Sequence, residues 1–459
     1  MPQTVDHKLS GPPFQCLFSP VDQVTPPIYS RRILIFSHAP DHSQENTVLA
    51  LKAGLQRAID EFPVLAGQMG YAAPGGWTIK PGVARLRIQH LDSDPGSGDE
   101  ELTFDRLRES GFCESLLPAD LVSSVPTLAD PQEDWHACRL QANFFRGGLL
   151  LVVSVNHTVM DGYGITRFIQ SLARHSRLPA TSPHHVQPPN ETVQVMDRAA
   201  LLKTSGTNTK GNVDDLDAYS IVQGPTNLSF VPPRTVTTTI RLSPPALHRL
   251  KAAASPEKGW VTTHDAVNAL CWRAHAAGRR GAGRIHDHET ARFAFPVDFR
   301  RLIGVPTSYV GNAVLMTKVS LPVKALLDPE NGLKAAAAAI RAGVSRVDAA
   351  YAENFVSVAK NLDEPGKLKI NMKLEIDGQR RETAFGSTSY KSFDLSSLEW
   401  DEAAVGRYER MRLASGVTGE GMSIVLPVLA DGSWEVTVSL EEELVDAFRA
   451  NEDVVEYAG

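Results

Sequence analysis

The sequence predicts an α/β (α+β) protein of two similar-sized domains, each built from strands and helices. At 459 residues the chain is too long for one hydrophobic core, since cores stop growing near roughly 250–300 residues. Strand-like and helix-like segments alternate in both halves, a pattern that lays helices on sheets. Between the halves the composition turns Pro-rich and polar. Pro179, Pro183, Pro188 and Pro189 are followed by the polar run 204–217. Such a stretch reads as a surface connection. The expected division is residues 1–180, a connection at 181–233, and residues 234–459.

In the first half, Arg32–His38 is a β-like run. Asn46–Phe62 sets Val48, Leu49, Leu51, Ala53, Leu55, Ala58 and Ile59 at roughly helical spacing. Pro63 ends or turns that helix, because it lacks an N–H and fixes φ. Trp77–Ile79 and Arg85–Leu91 read as short strands. Gly148–Val155 is unbroken and apolar, as expected of a central strand. Tyr163–Ser176 reads as a helix with Ile165, Phe168, Ile169, Leu172 and Ala173 on one face. Some helix is expected near Glu191–Leu202.

In the second half, Thr235–Leu242 alternates like a strand. Ser243–Ala254 and Thr263–Ala277 are helical, the second capped by the hydroxyl of Thr262 or Thr263. Gly332–Leu362 is a long Ala-rich helix, with a break expected near Gly343. Trp434–Leu440 is a strand and Glu441–Ala450 a closing helix.

Composition excludes several classes. A net charge of −7 argues against a nucleic-acid binder, which shows a basic face. The longest apolar run, Leu149–Val155, is far short of the ~20 residues a bilayer requires. Residues 1–10 show no basic segment followed by an apolar one, so no signal peptide is expected. Cys16, Cys113, Cys138 and Cys271 show no C-x-x-C spacing, which suits a reducing cytosol. A cytoplasmic location follows as an expectation, and the sequons at Asn190 and Asn227 would then stay unused. No G-x-S-x-G elbow, phosphate loop or G-x-G-x-x-G turn is present. His184-His185 and His286-Asp-His288 read as solvated loops, and no metal is expected. Arg279, Arg280 and Arg284 form either a solvated helix end or a phosphate contact.

The sharpest local feature is Ser154-Val-Asn-His157-Thr-Val-Met-Asp161-Gly162-Tyr-Gly164. H-x-x-x-D alone is weak. With 14 histidines and 28 aspartates, about one match arises by chance, and two occur. The other, His90 to Asp94, lies in a polar stretch and reads as a solvated turn. Context separates them, since His157 ends a buried strand and Asp161-Gly-Tyr-Gly turns into a helix. That junction holds side chains rigidly at a cleft. A histidine there can take a proton from a hydroxyl or amine. The alternative is a histidine satisfied by its own turn. The aspartate either orients it or pairs with a cation elsewhere.

Further segments follow in a recognisable order. They are Ser19-Pro-Val-Asp-Gln23, Phe62-Pro-Val-Leu-Ala-Gly67, the His157–Gly162 turn, Thr262-Thr-His-Asp265 with Trp272, Val297-Asp-Phe-Arg300, and Tyr309-Val-Gly-Asn-Ala313. Together they resemble the BAHD acyltransferases, and most of all the fungal branch that includes the trichothecene 3-O-acetyltransferases. The resemblance spans nearly the whole chain. It implies two chloramphenicol-acetyltransferase-like domains, each with a mixed sheet, and a channel between them. It implies His157 as general base, with Gly162 in the same turn and Asp161 paired structurally with Arg300. Thr388, Tyr390 and Asn312 are the implied oxyanion or substrate contacts, and Lys251, Thr262 and Thr263 the implied donor contacts. No resident cofactor is implied. Acyl-CoA, with acetyl-CoA foremost, is the implied co-substrate, with a hydroxyl of a secondary metabolite as acceptor and a monomeric enzyme. One segment departs from the family. Glu399-Trp-Asp-Glu-Ala403 stands where D-F-G-W-G is usual. Two other readings stay open: a free-standing condensation or release enzyme with a carrier-bound donor, and a repurposed member of the fold.

Overall fold

The structure, a computed structural model, describes residues 4–72, 76–91, 101–123, 125, 135–177, 198, 201, 211–222, 235–370, 374–376, 379–381, 384–414 and 419–458. Among them, two six-stranded sheets organise the chain. The first runs Thr4–Leu9, Ala84–His90, Cys138–Phe145, Gly148–Asn156, Tyr29–Ser37, Arg407–Arg412. Only the Ala84–His90 and Cys138–Phe145 pair is parallel. The second runs Thr235–Leu242, Trp434–Glu441, Met422–Val425, Ala384–Ser389, Thr290–Asp298, Val314–Pro322. There, Ala384–Ser389 pairs in parallel with both neighbours. Both sheets are mixed, as the fold class requires.

Gly148–Asn156 is buried at every position, which explains its unbroken apolar run. Two helices cover the first sheet and pack on each other, Gln44–Glu61 and Gly162–His175. Leu51, Leu55, Ala58 and Ile59 of one meet the core that holds Ile165, Phe168, Ile169 and Leu172 of the other. Each of the larger side chains contributes about 1.5–3 kcal/mol by burial. Thr263–Gly281 does the same for the second sheet, with Trp272 against Phe293 at 5.5 Å.

The two sheets do not divide cleanly in sequence. Arg407–Arg412, late in the chain, closes the edge of the first sheet against Tyr29–Ser37. Its Arg412 is buried and donates to both oxygens of Glu435, which belongs to the second sheet, at 2.7 and 3.1 Å. The same guanidinium donates to the carbonyls of Phe112 and Gly111. A buried arginine is tolerable here because its donors are answered.

Most expected elements are present with ends shifted by a few residues. The expected single helix Gly332–Leu362 is two helices, Gly332–Arg346 and Ala349–Asn361. The break falls at residues 347–348, not near Gly343. Asp348 caps the second helix by accepting from the Tyr351 N–H at 2.8 Å. Gly343 lies inside the first helix, where a Cβ would press on Val319 and Phe295. The helix expected near Glu191–Leu202 lies outside the described residues apart from Arg198 and Leu201, as do both sequons and His184-His185.

Candidate active site

The strand Gly148–Asn156 ends where Asn156 faces Tyr29. The Asn156 side chain then accepts from the Thr158 N–H at 3.1 Å and its carbonyl from Val159 N–H at 2.9 Å. This closes a tight turn whose Thr158, Val159 and Met160 are fully buried. Asp161 caps the helix Gly162–His175, its Oδ1 accepting from Gly164 N–H at 3.1 Å. The spacing from His157 to Asp161 is thus the length of one turn between strand end and helix cap. A Cβ on Gly164 would overlap the Val310 carbonyl, so only glycine fits this close approach.

His157 is fastened by its backbone, its N–H donating to the Ile28 carbonyl at 2.8 Å. The side chain is half-buried. Its Nδ1 is sealed without a hydrogen-bond partner, which leaves Nε2 as the accessible nitrogen. Burial pushes the imidazole below its ordinary value, partly opposed by the Asp161 charge. It therefore stays neutral at neutral pH, the form that accepts a proton.

Asp161 turns away from that accessible edge. Its Oδ2 accepts from Arg300 Nη2 at 2.7 Å and from Ala313 N–H at 3.1 Å. Arg300 is also held by the carbonyls of Gly311 at 2.7 Å and Tyr309 at 3.3 Å. The Tyr163 ring lies 4.7 Å from its guanidinium carbon. The pair ties the His157 turn to the segment 298–313.

Asn312 plays a different part from the one expected. It is fully buried, and its amide nitrogen donates to the His157 carbonyl at 2.9 Å, the Thr158 carbonyl at 3.1 Å and Asp22 at 2.9 Å. Those donors are committed to the turn's carbonyls and to Asp22, so Asn312 holds His157 in place. Thr262 caps its helix, as its hydroxyl and position predict. Its hydroxyl donates to Asp265 at 2.8 Å and accepts from the Asp265 N–H, a reciprocal cap of Thr263–Gly281. Thr263 is the first residue of that helix, and Lys251 is exposed in the last turn of Pro244–Ala254. None of the three bonds to the His157 turn.

The structure does bring the 388–390 segment to the turn. Thr388 and Tyr390 are half-buried at the end of Ala384–Ser389. The Tyr390 ring lies 4.6 Å from the guanidinium carbon of Arg32, whose Nη2 donates to the Gly162 carbonyl at 3.2 Å. Asp22, Arg198 and Arg32 escaped the sequence reading as site residues. Asp22 accepts from the Asn312 N–H at 2.9 Å and lies 3.7 Å from Arg198, which donates to the Val159 carbonyl. The signal for Asp22 was present. Ser19 and Asp22 have capping-box spacing, and their side chains do cap one another. Arg198 had no such signal, and Arg32 showed only as a charge inside an apolar strand.

Other features lie elsewhere. A cavity of about 370 Å³ is lined by Trp400, Tyr408, Met411 and Leu426 among others. Tyr408 pairs with Phe36, seven residues along the strand from Tyr29, so roughly 23 Å separates it from the His157 end. In the departing segment Glu399 is exposed, while Trp400 packs edge-on against Phe36 at 5.1 Å. Arg279, Arg280 and Arg284 each pair with a carboxylate. Among the described residues no three His, Cys, Asp or Glu side chains group closely enough to share a metal ion. Likewise, no described helix is long and apolar enough to cross a membrane.

A family model described as the transferase family matches residues 97–454. The chain belongs to that family, the BAHD transferases. This transferase is 24% identical over 452 residues to trichothecene 3-O-acetyltransferase TRI101 of Fusarium sporotrichioides, covering 94% of this chain and 93% of that protein. It is 31% identical over 456 residues to the enoyl-CoA isomerase/hydratase claC of Penicillium crustosum, and spans half of that protein's length. Its fold matches the F. sporotrichioides TRI101 structure complexed with coenzyme A and T-2, with a TM-score of 0.78 at 23% identity. That match covers 97% of this chain and 99% of the other.

Proposed function

We propose that this transferase moves an acyl group, most simply acetyl, from coenzyme A to a hydroxyl of a small secondary metabolite. The observation that carries this reading is a half-buried, neutral histidine with an accessible Nε2, on a turn braced by Asn312 and the Asp161–Arg300 pair. The family and the TRI101 relative support the acyl chemistry. Coenzyme A is also common to the TRI101 complex and, as an enoyl thioester, the claC name.

The mechanism follows from an already activated thioester. His157 Nε2 removes the acceptor's hydroxyl proton as its oxygen attacks the thioester carbonyl, forming the new C–O bond. The tetrahedral oxyanion needs donors within about 3 Å, and the hydroxyls of Thr388 and Tyr390 are the candidates. Collapse breaks the C–S bond, and the departing thiolate takes the proton from His157. Asp161, Arg300 and Asn312 hold the turn and do not touch substrate. We place this chemistry between units at 1–180 and 234–459, in a monomer.

The test is calorimetric titration with acetyl-CoA and a longer acyl-CoA, followed by turnover of His157→Ala. Micromolar binding by the wild type and loss of nearly all turnover in the variant are expected. No binding by folded protein points instead to a carrier-bound donor. Retained turnover in a folded His157→Ala protein removes the general-base role.

A further inference from the structure

Arg32 lies beside the His157–Asp161 turn yet takes no part in the ion pair that braces it. It sits on Tyr29–Ser37, opposite Val153 of the central strand. The side chain is completely buried. Nη1 donates to Thr166 Oγ1 at 3.0 Å and Nη2 to the Gly162 carbonyl at 3.2 Å, both near the N-terminus of the helix Gly162–His175. Across the guanidinium lie the rings of Tyr390 at 4.6 Å and Phe393 at 5.4 Å, contributed by the segment that follows the second sheet's Ala384–Ser389 strand. Its Nε is sealed without a partner.

The charges around the turn can be counted element by element. From the helix Pro20–Val24 comes Asp22, answered by Asn312 and Arg198. From the turn itself comes Asp161, answered by Arg300. Asp298 stands half-exposed at the rim, also on Arg300. Cys16 beside Arg198, and Tyr163, Tyr309, Tyr390 and Lys391, are the other titratable groups around the turn, and Lys391 lies over Trp434. Of the three buried arginines bonded to this turn, Arg198 has Asp22 and Arg300 has Asp161, while Arg32 has no carboxylate within ion-pair distance among the described residues. A buried charge without a counter-ion is costly, and the positive end of a helix dipole makes this one costlier.

We propose that Arg32 is a positioning residue for acyl transfer. It clamps the N-terminus of Gly162–His175 to the Tyr390–Phe393 turn and supplies the uncompensated positive charge that favours an oxyanion over a protonated His157. This rests on the acyl-transfer reading above. The clamp also accounts for Gly162, where a Cβ would come within 3.1 Å of the Phe393 ring and 3.6 Å of Arg32 Nη2. The charge acts in the same direction as burial, which is the main cause of the lowered His157 basicity.

The experiment compares wild type with Arg32→Gln and Arg32→Lys. The readouts are kcat, KM for acetyl-CoA, the pH profile of kcat/KM, and the imidazole titration of His157 by NMR in the free enzyme. Arg32→Gln is expected to lower kcat about tenfold with KM for acetyl-CoA within about twofold. The His157 titration and the acid limb should both move up by about half to one pH unit. Arg32→Lys restores the titration but only part of kcat, because one ammonium cannot replace the two-point clamp. A folded Arg32→Gln protein with unchanged titration and unchanged kcat overturns the proposal. So does Arg32→Lys with the same titration as Arg32→Gln. If Arg32→Gln does not fold, the wild-type titration against Phe393→Leu carries the test. Phe393→Leu opens one face of the guanidinium to solvent, so its screened charge should let the His157 titration rise, and no movement overturns the proposal. The NMR titration needs no turnover, so it separates failure of this proposal from failure of the acyl-transfer reading.

Discussion

Replacing Arg300 by Met removes the cation that answers Asp161 while keeping most of the buried volume. Arg300 is 4% exposed and Asp161 0%. Their contact is 2.7 Å. After the change, Asp161 keeps only the N–H groups of Gly164 and Ala313. The carbonyls of Gly311 and Tyr309 lose their donor as well. Breaking a buried pair by removing one partner costs about 3–5 kcal/mol, since a charge is left uncompensated. At about 2–4 °C per kcal/mol for a unit of roughly 150–250 residues, the thermal midpoint should fall by about 6–20 °C. Asp161→Asn should lose less, because its amide oxygen can still cap the helix. The double variant should then be milder than the sum by about 2 kcal/mol. The assay is thermal unfolding of all four proteins, with kcat measured below each midpoint. In Arg300→Met kcat should drop at least about tenfold, because the turn carrying His157 loses its anchor. A midpoint within 2 °C of wild type with full kcat would refute the reasoning, as would strict additivity in the double variant.

Gly164→Ala places a Cβ against the Val310 carbonyl, so a loss of about 1–3 kcal/mol is expected, read as a lower midpoint together with a lower kcat. An unchanged midpoint would mean that the turn and residues 309–313 are not in close contact. Acid should destabilise the fold through His38, which burial holds down to about 4 against an unfolded value near 6.5. Below pH 6.5 the unfolded chain binds the proton that the folded chain refuses, so this contribution is complete above 6.5 and is lost as pH falls toward 4. The midpoint difference between pH 7.5 and 5 should therefore shrink in His38→Gln, and an identical difference would remove His38 from the account.

Local physics made the His157 site partly legible. An unbroken Val- and Leu-rich run of this length reads as a buried strand, and the period of Ile165, Phe168, Ile169 and Leu172 lays one helix face on a core. A turn between them therefore had to present His157, and Asp161 sits at a helix-cap position that its short carboxylate suits. Thr262 caps its helix because Asp265 stands three residues on, a spacing legible in the sequence. The two helices within Gly332–Asn361 show the limit of the pattern. A glycine looks like a breaker in sequence, yet Gly343 serves close packing and Asp348 makes the break.

Only the tertiary structure decided what surrounds the turn. Asn312 reaches His157 across 155 residues, Arg32 reaches Thr166 across 134, and Asp161 meets Arg300 across 139. Arg407–Arg412 joins the first sheet although it follows four strands of the second. No periodicity encodes such partners, because periodicity records which face of a segment is buried and not what it is buried against. The sequence by itself determined the strands Gly148–Val155, Thr235–Leu242 and Trp434–Leu440, the helix after His157 and the turn that presents the histidine, since each follows from spacing within a few residues. The electrostatic setting of that histidine was decided by folding, since it arises from charges that only the packed chain brings together.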